Sequence, residues 1–160
     1  MAIRYGWNAA PDQFMALQHL SQEHALHPPL VQHIESRPGN RLLDYGCGDG
    51  RILERLSDRW VIDAYDPNPE MRHIAGTRVG HRLDRLIADP FDIRASYDVI
   101  ILGMVLQCIP EIDELKRVLG DCASRMHAAS SLFISMTHPC FRSSRFSNFE
   151  TSFSNTQPFT

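Results

Sequence analysis

The stretch Leu42-Leu43-Asp44-Tyr45-Gly46-Cys47-Gly48-Asp49-Gly50 decides the fold of this chain. It reads as a short apolar strand running into a turn with three glycines, with Asp44 and Asp49 on either side of the first two. Such a turn lets the backbone take positive φ and lets a ligand approach the main chain. Where strands alternate with helices, it sits at the carboxyl edge of the first strand, where nucleotides bind. The dinucleotide fingerprint G-x-G-x-x-G would need its third glycine at position 51, which is Arg51; the glycine falls at Gly50 instead. Two acids beside the turn would repel a pyrophosphate and suit a ligand carrying an ammonium or a sulfonium. A tight strand-to-helix turn with no ligand would use the same glycines, so the remainder of the chain has to decide.

Working outward, strands are expected over 41–45, 60–65, 82–88, 97–102 and 131–136. Between them the spacing predicts a helix over 50–58 with Ile52, Leu53 and Leu56 facing inward. A second runs from Asn68-Pro69-Glu70 toward Gly80, and a third from Pro110 to about Met126 with Ile112, Leu115, Val118, Leu119 and Cys122 on one face. Asn68 followed by proline is a helix start: a capping side chain, then a fixed φ in the first turn. Met104 to Ile109 reads as a short apolar turn. Upstream, residues 9–26 are amphipathic through Phe14, Leu17 and Leu20, and a helix is expected over 28–36. The fold class is α/β: a doubly wound, mostly parallel sheet of about five strands with helices on both faces.

Ligands in such sheets sit outside the carboxyl ends of the strands, so the first residues beyond each strand carry the most information. Asp66 comes after the second strand, 22 residues beyond Asp44, near the distance at which an acid receives ribose hydroxyls. Asp89 comes after the third strand and Gly103 after the fourth. Each has a plainer reading: Asp66 as a helix cap, Asp89 as a turn former before Pro90. Asp49 and Arg51 read as solvated loop charges.

Taken together, 42–50, Val61-Ile62-Asp63-Ala64-Tyr65-Asp66-Pro67-Asn68, Ala88-Asp89-Pro90-Phe91 and the stretch from Tyr97 to Pro110 keep the order and spacing of four successive motifs. They resemble those of the class I S-adenosylmethionine-dependent methyltransferases, of the Rossmann-like, small-molecule type, over roughly residues 28–140. The resemblance implies S-adenosylmethionine as cofactor. It places Asp44, Gly46, Cys47 and Gly48 at its methionine end, Asp66 with Pro67 at the ribose, Asp89 at the adenine amino group with Pro90 and Phe91 lining the ring, and Gly103 near the sulfonium. It also implies an N-terminal lid, here Tyr5-Gly6-Trp7 and the helix after it. His138, just past the fifth strand, is the candidate catalytic base, needed only if the acceptor must lose a proton; a histidine turning into Pro139 is its plainer reading.

Members of that family close the sheet with an antiparallel hairpin after strand five, and this sequence offers no candidate for it. Met126-His127-Ala128-Ala129-Ser130 also replaces a glycine-rich turn. The chain therefore divides into an N-terminal lid segment over 1–27, a cofactor-binding core over 28–140 and an irregular tail over 141–160. A bare edge on strand five suggests a homodimer. Three functions stay open: methyl transfer to a small-molecule O, N or C acceptor, a non-catalytic cofactor-binding module completed by a partner chain, and an NAD-type nucleotide domain.

The bulk composition narrows the classes. A net charge of −3 with 22% charged residues gives no basic footprint for nucleic acid. No apolar run reaches the roughly 18 residues a membrane span needs. Four cysteines show no C-x-x-C spacing, and a cytoplasmic location with reduced thiols is expected. His24, His27 and His33 lack acid or thiol partners at ligand spacing, so no metal site is expected and they read as exposed helix histidines.

Overall fold

The computed structural model describes residues 22–136. Five parallel strands form one sheet: β1 (Arg41–Tyr45), β2 (Val61–Tyr65), β3 (Leu83–Ile87), β4 (Tyr97–Gly103) and β5 (Met126–Ser135). Their order is β3-β2-β1-β4-β5, so the winding reverses between β1 and β4. Among the described residues three α-helices accompany them: α1 (His27–Glu35), α2 (Pro69–Val79) and α3 (Ile112–Ser124).

The period-2 alternation of the strands sorts side chains onto two cores. Leu42, Ile62, Ala64, Val99 and Ile101 pack on one face with Ile34 of α1 and Ala75 and Val79 of α2. Leu43, Tyr45, Tyr65, Ile100 and Leu102 pack on the other with Val118 and Cys122 of α3. β1 and β4 are apolar on both faces, as central parallel strands are. The outer strands β3 and β5 are half exposed.

The α2 start forms as the sequence dictates. Asn68 holds an extended backbone and its Oδ1 accepts from the Glu70 and Met71 N–H groups, with Pro69 in the first turn. At the carboxyl end of α1, the Arg59 guanidinium donates to the Glu35 carbonyl, a group a helix end leaves without a partner, and to the Arg37 and Gly39 carbonyls just beyond it.

Two expectations need correction. No helix spans 50–58: the segment makes only a 3₁₀ turn at Leu53–Arg55, although Leu53 and Leu56 are buried as expected. Its backbone is satisfied from outside. Arg82 donates to the Leu53 and Leu56 carbonyls at 2.7 and 2.6 Å, and Glu35 accepts the Ser57 N–H at 2.8 Å. Those long-range partners replace the i to i−4 ladder. β5 begins five residues earlier than the apolar run suggests, because residues 127–130 bulge between the Tyr97–Met126 and Val99–Ser131 pairs. Ser130 Oγ pins the bulge, donating to the Tyr97 carbonyl and accepting the His127 N–H. The residues expected as a lid, Tyr5 to Trp7, most of the helix expected over 9–26, residues 141–160 and His138 lie outside the described residues; within 22–26 the chain makes a single π turn.

Candidate functional site

A cavity of about 180 Å³ opens over the carboxyl ends of β1, β2 and β4, at the point where the winding reverses. The glycine turn after β1 forms its floor. Gly46, Gly48 and Gly50 have φ of 88°, 54° and 77°, in the left-handed region that favours glycine. The turn is tied to the end of β2, where the Gly46 and Cys47 N–H groups both donate to the Tyr65 carbonyl, at 2.7 and 2.9 Å. A Cβ on Gly50 would lie 2.8 Å from Val79 Cγ2, so this glycine also lets α2 close on the turn.

Asp44 is 2% exposed on the cavity wall and its Oδ2 has no hydrogen-bond partner. Burial, then the neighbouring Asp66 and Asp49 carboxylates, push its pKa up to about 7. Asp66 is also buried, but its oxygens are engaged: Oδ2 accepts the Gly48 N–H at 2.9 Å and Oδ1 the Asn68 N–H at 2.8 Å. Burial raises its pKa, with those two N–H groups and the Arg72 charge opposing. Asp66 thus joins the glycine turn to the α2 cap, a structural duty compatible with its free lone pairs facing a ligand. Cys47 is a buried thiol that burial holds well above its usual pKa, so it lines the wall as a small neutral group.

Gly103 lies on the far wall. A Cβ there would meet only Ile101 Cγ2 and Ser135 Oγ, at 3.8 and 4.0 Å, so packing does not demand glycine. Of the residues expected at the site, Asp44, Gly46, Cys47, Gly48, Asp66 and Gly103 line one cavity. Pro67, Asp89, Pro90 and Phe91 do not line it. Asp89 is exposed and its Oδ1 accepts the Phe91 N–H, capping a 3₁₀ turn at Pro90–Asp92, while the Phe91 ring is 82% exposed.

Several further residues line the cavity beyond those expected at the site. Asp49 is buried rather than solvated: its carboxylate accepts from Arg51 Nε at 2.6 Å and from Arg78 Nη2 at 3.4 Å, and Arg51 in turn pairs with Glu23. His27 is 8% exposed, not a surface histidine, and faces the cavity from the first residue of α1. Met104 comes directly after β4 at φ 59°, unusual for a residue with a side chain, held by its N–H on the Ser135 carbonyl at 2.8 Å. Val105, Cys108 and Ser135 complete that wall. Met104 and Ser135 meet because β4 and β5 end side by side.

A family model described as "Methyltransferase domain" matches residues 17–152, most of the chain. The chain belongs to this family. The methyltransferase domain is 33% identical over 91 residues to the trans-aconitate 2-methyltransferase of Rhodococcus jostii (strain RHA1), covering 55% of this chain and 35% of that protein. It is 27% identical over 123 residues to the ubiquinone biosynthesis O-methyltransferase of Xanthomonas axonopodis pv. citri (strain 306), covering 70% of this chain and 50% of that protein. The chain thus spans between about a third and a half of these relatives' length. Its fold matches that of the N-methyltransferase NodS from Bradyrhizobium japonicum WM9, solved with S-adenosyl-L-homocysteine. The TM-score is 0.66 at 17% identity, over 78% of this chain and 69% of that one. The α/β Rossmann-like methyltransferase fold expected from the motifs is the fold observed.

Proposed function

We propose that this methyltransferase domain binds S-adenosylmethionine in the cavity above the glycine turn and transfers its methyl group to a small-molecule O, N or C acceptor by in-line displacement. One observation carries the reading: a buried carboxylate, Asp44, presents an unpartnered oxygen to that cavity. Leaving a buried acceptor unpaired costs about 1–3 kcal/mol, and an ammonium group would supply the missing donor. The cofactor, when bound, supplies an activated methyl on a sulfonium. The chain's residues bind and align. Asp44 and the turn glycines would take the methionine end, Asp66 with Pro67 the ribose hydroxyls, and Gly103 would leave space at the reacting end. Asp89, with Pro90 and the exposed Phe91 ring, would close over the adenine. Aligning acceptor and methyl is the main catalytic task and can contribute up to about 7–11 kcal/mol. His138 would accept a proton from acceptors that must lose one.

The test is calorimetric titration with S-adenosylhomocysteine, and then transfer of labelled methyl across an acceptor panel. Micromolar binding is expected, weakened in Asp66→Ala by about 1.5–3 kcal/mol as charged hydrogen bonds are lost. A folded chain that binds nothing would sink the reading.

The half-exposed β5, with Ile134 45% exposed, favours a second reading in which a partner completes the fold. In that reading the edge pairs with a second copy, and binding occurs without turnover in the isolated chain. Light scattering at high concentration should then report a dimer; a clean monomer counts against it.

A further inference from the structure

Among the described residues, six buried side-chain polar atoms have no hydrogen-bond partner. Three of them, His27 Nδ1, Asp44 Oδ2 and Ser135 Oγ, belong to residues on the wall of this one cavity. Buried polar groups are nearly always paired, so this clustering describes the polar complement of a ligand. Asp44 asks for a donor. The amino-acid end of the proposed cofactor provides one in its ammonium, but it also brings a carboxylate, which needs a cation or a strong donor.

The arginines near the floor each spend donors on the protein itself. Arg51 gives Nε to Asp49 and Nη1 to Glu23, and Arg72 gives Nη1 to the Asp66 carbonyl. His27 is not committed through Nδ1, and an imidazole becomes a cation by gaining one proton.

Resting on the cofactor reading above, we propose that His27 is the partner of the ligand's α-carboxylate and that binding moves a proton from Asp44 to His27. The Asp44 carboxyl loses its O–H bond and pairs with the ammonium; His27 gains an N–H bond on Nδ1 and pairs with the carboxylate. The total charge is unchanged. Where Asp44 is already ionised, water supplies the proton that His27 takes up.

The surroundings prepare both groups for this exchange. Burial, then the Arg55 charge, lower the His27 pKa in the ligand-free chain and so favour the neutral imidazole, with Arg51 adding to them and Glu23 and Asp49 opposing. Burial, then Asp66 and Asp49, push the Asp44 pKa up to about 7, so its protonated form is favoured below that pH. The surroundings therefore favour the uncharged form of each group, and each finds an opposite charge when a zwitterion enters.

The experiment titrates the full chain with S-adenosylhomocysteine and with 5′-methylthioadenosine, which lacks the amino-acid end, from pH 5.5 to 8.5. His27→Asn and His27→Gln are compared with the parent, each with a thermal melt to establish folding. The expected result has three parts. His27→Asn loses tenfold or more in S-adenosylhomocysteine affinity at pH 6.5, and this deficit shrinks by roughly tenfold per pH unit once His27 must be protonated from its neutral form. Methylthioadenosine binds parent and variant alike. In buffers of different ionisation heat, the parent takes up as much as one proton more per ligand than the variant. Equal affinity and an identical pH profile in parent and both variants would overturn the His27 assignment while leaving the cofactor reading intact. A parent that binds neither compound would overturn both.

Discussion

Two corners of the sheet carry the same short signature, an aspartate and then a proline at the end of a strand, and they are built in opposite ways. At the end of β2, Asp66 is 6% exposed and fixed by the N–H groups of Gly48 and Asn68, so three segments meet on one carboxylate. At the end of β3, Asp89 is exposed and the only described partner of its side chain is the N–H of Phe91, two residues on. The first corner is organised before a ligand arrives, and the second is a local turn that a ligand would have to engage. The physical difference is coverage. α2 and the glycine turn pack over the end of β2, whereas a 3₁₀ turn and an exposed phenylalanine come after β3. Preorganised carboxylates give affinity without an ordering cost, so binding energy should concentrate at the first corner.

The largest test of that contrast uses Asp44, beside the first corner. Its folded pKa of about 7 lies above its ordinary carboxyl value of 3.8. The folded chain therefore holds a proton that the unfolded chain has released between those two pH values. The stability this group contributes is full below about pH 4 and is lost as pH rises through 7. Asp44→Asn should raise the stability of the ligand-free chain by about 2–4 kcal/mol at pH 8 and change it little at pH 4, while abolishing S-adenosylhomocysteine binding. Denaturant unfolding at the two pH values measures this; a variant equally destabilised at both would break the picture of a strained, ligand-seeking acid.

Gly50→Ala comes next. A side chain there meets both the positive φ and Val79 Cγ2 at 2.8 Å. A loss of about 1–3 kcal/mol is expected in urea unfolding, and ligand affinity should fall with it because the turn and α2 share that contact. Unchanged stability would show that the turn can shift without α2.

Asp89→Ala sharpens the comparison from the other side. Losing the cap should cost about 0.5–1 kcal/mol of stability. Its cost in S-adenosylhomocysteine affinity should be smaller than that of Asp66→Ala, by calorimetry on both variants. The reverse ranking would mean that the open corner, not the built one, dominates recognition.

How much of this is legible in the sequence differs by element. The strands at 41–45 and 97–102 are plain because a buried parallel strand must be apolar on both faces, and β1 and β4 occupy the middle of the sheet. The α2 start is plain because Asn68 and Pro69 act on their own backbone. The helix expected over 50–58 fails because inward-facing Ile52, Leu53 and Leu56 are equally compatible with a 3₁₀ turn, and the choice falls to Arg82 and Glu35, distant in the chain. The start of β5 fails for a similar reason: a bulge is held by Ser130 against Tyr97, across 33 residues.

The site divides along the same line. The glycine turn, the acids after β1 and β2 and the order of motifs are written in the sequence, since backbone conformation and strand polarity are local properties. Packing in three dimensions was needed to bury Asp49 in an ion-pair network, to turn His27 inward, and to bring Met104 and Ser135 onto one wall with Asp44. Burial and unpaired polar atoms depend on what the rest of the chain leaves uncovered. A sequence names the groups that can titrate; the packed sheet and helices decide which of them lose their water, and so which are held ready for a ligand.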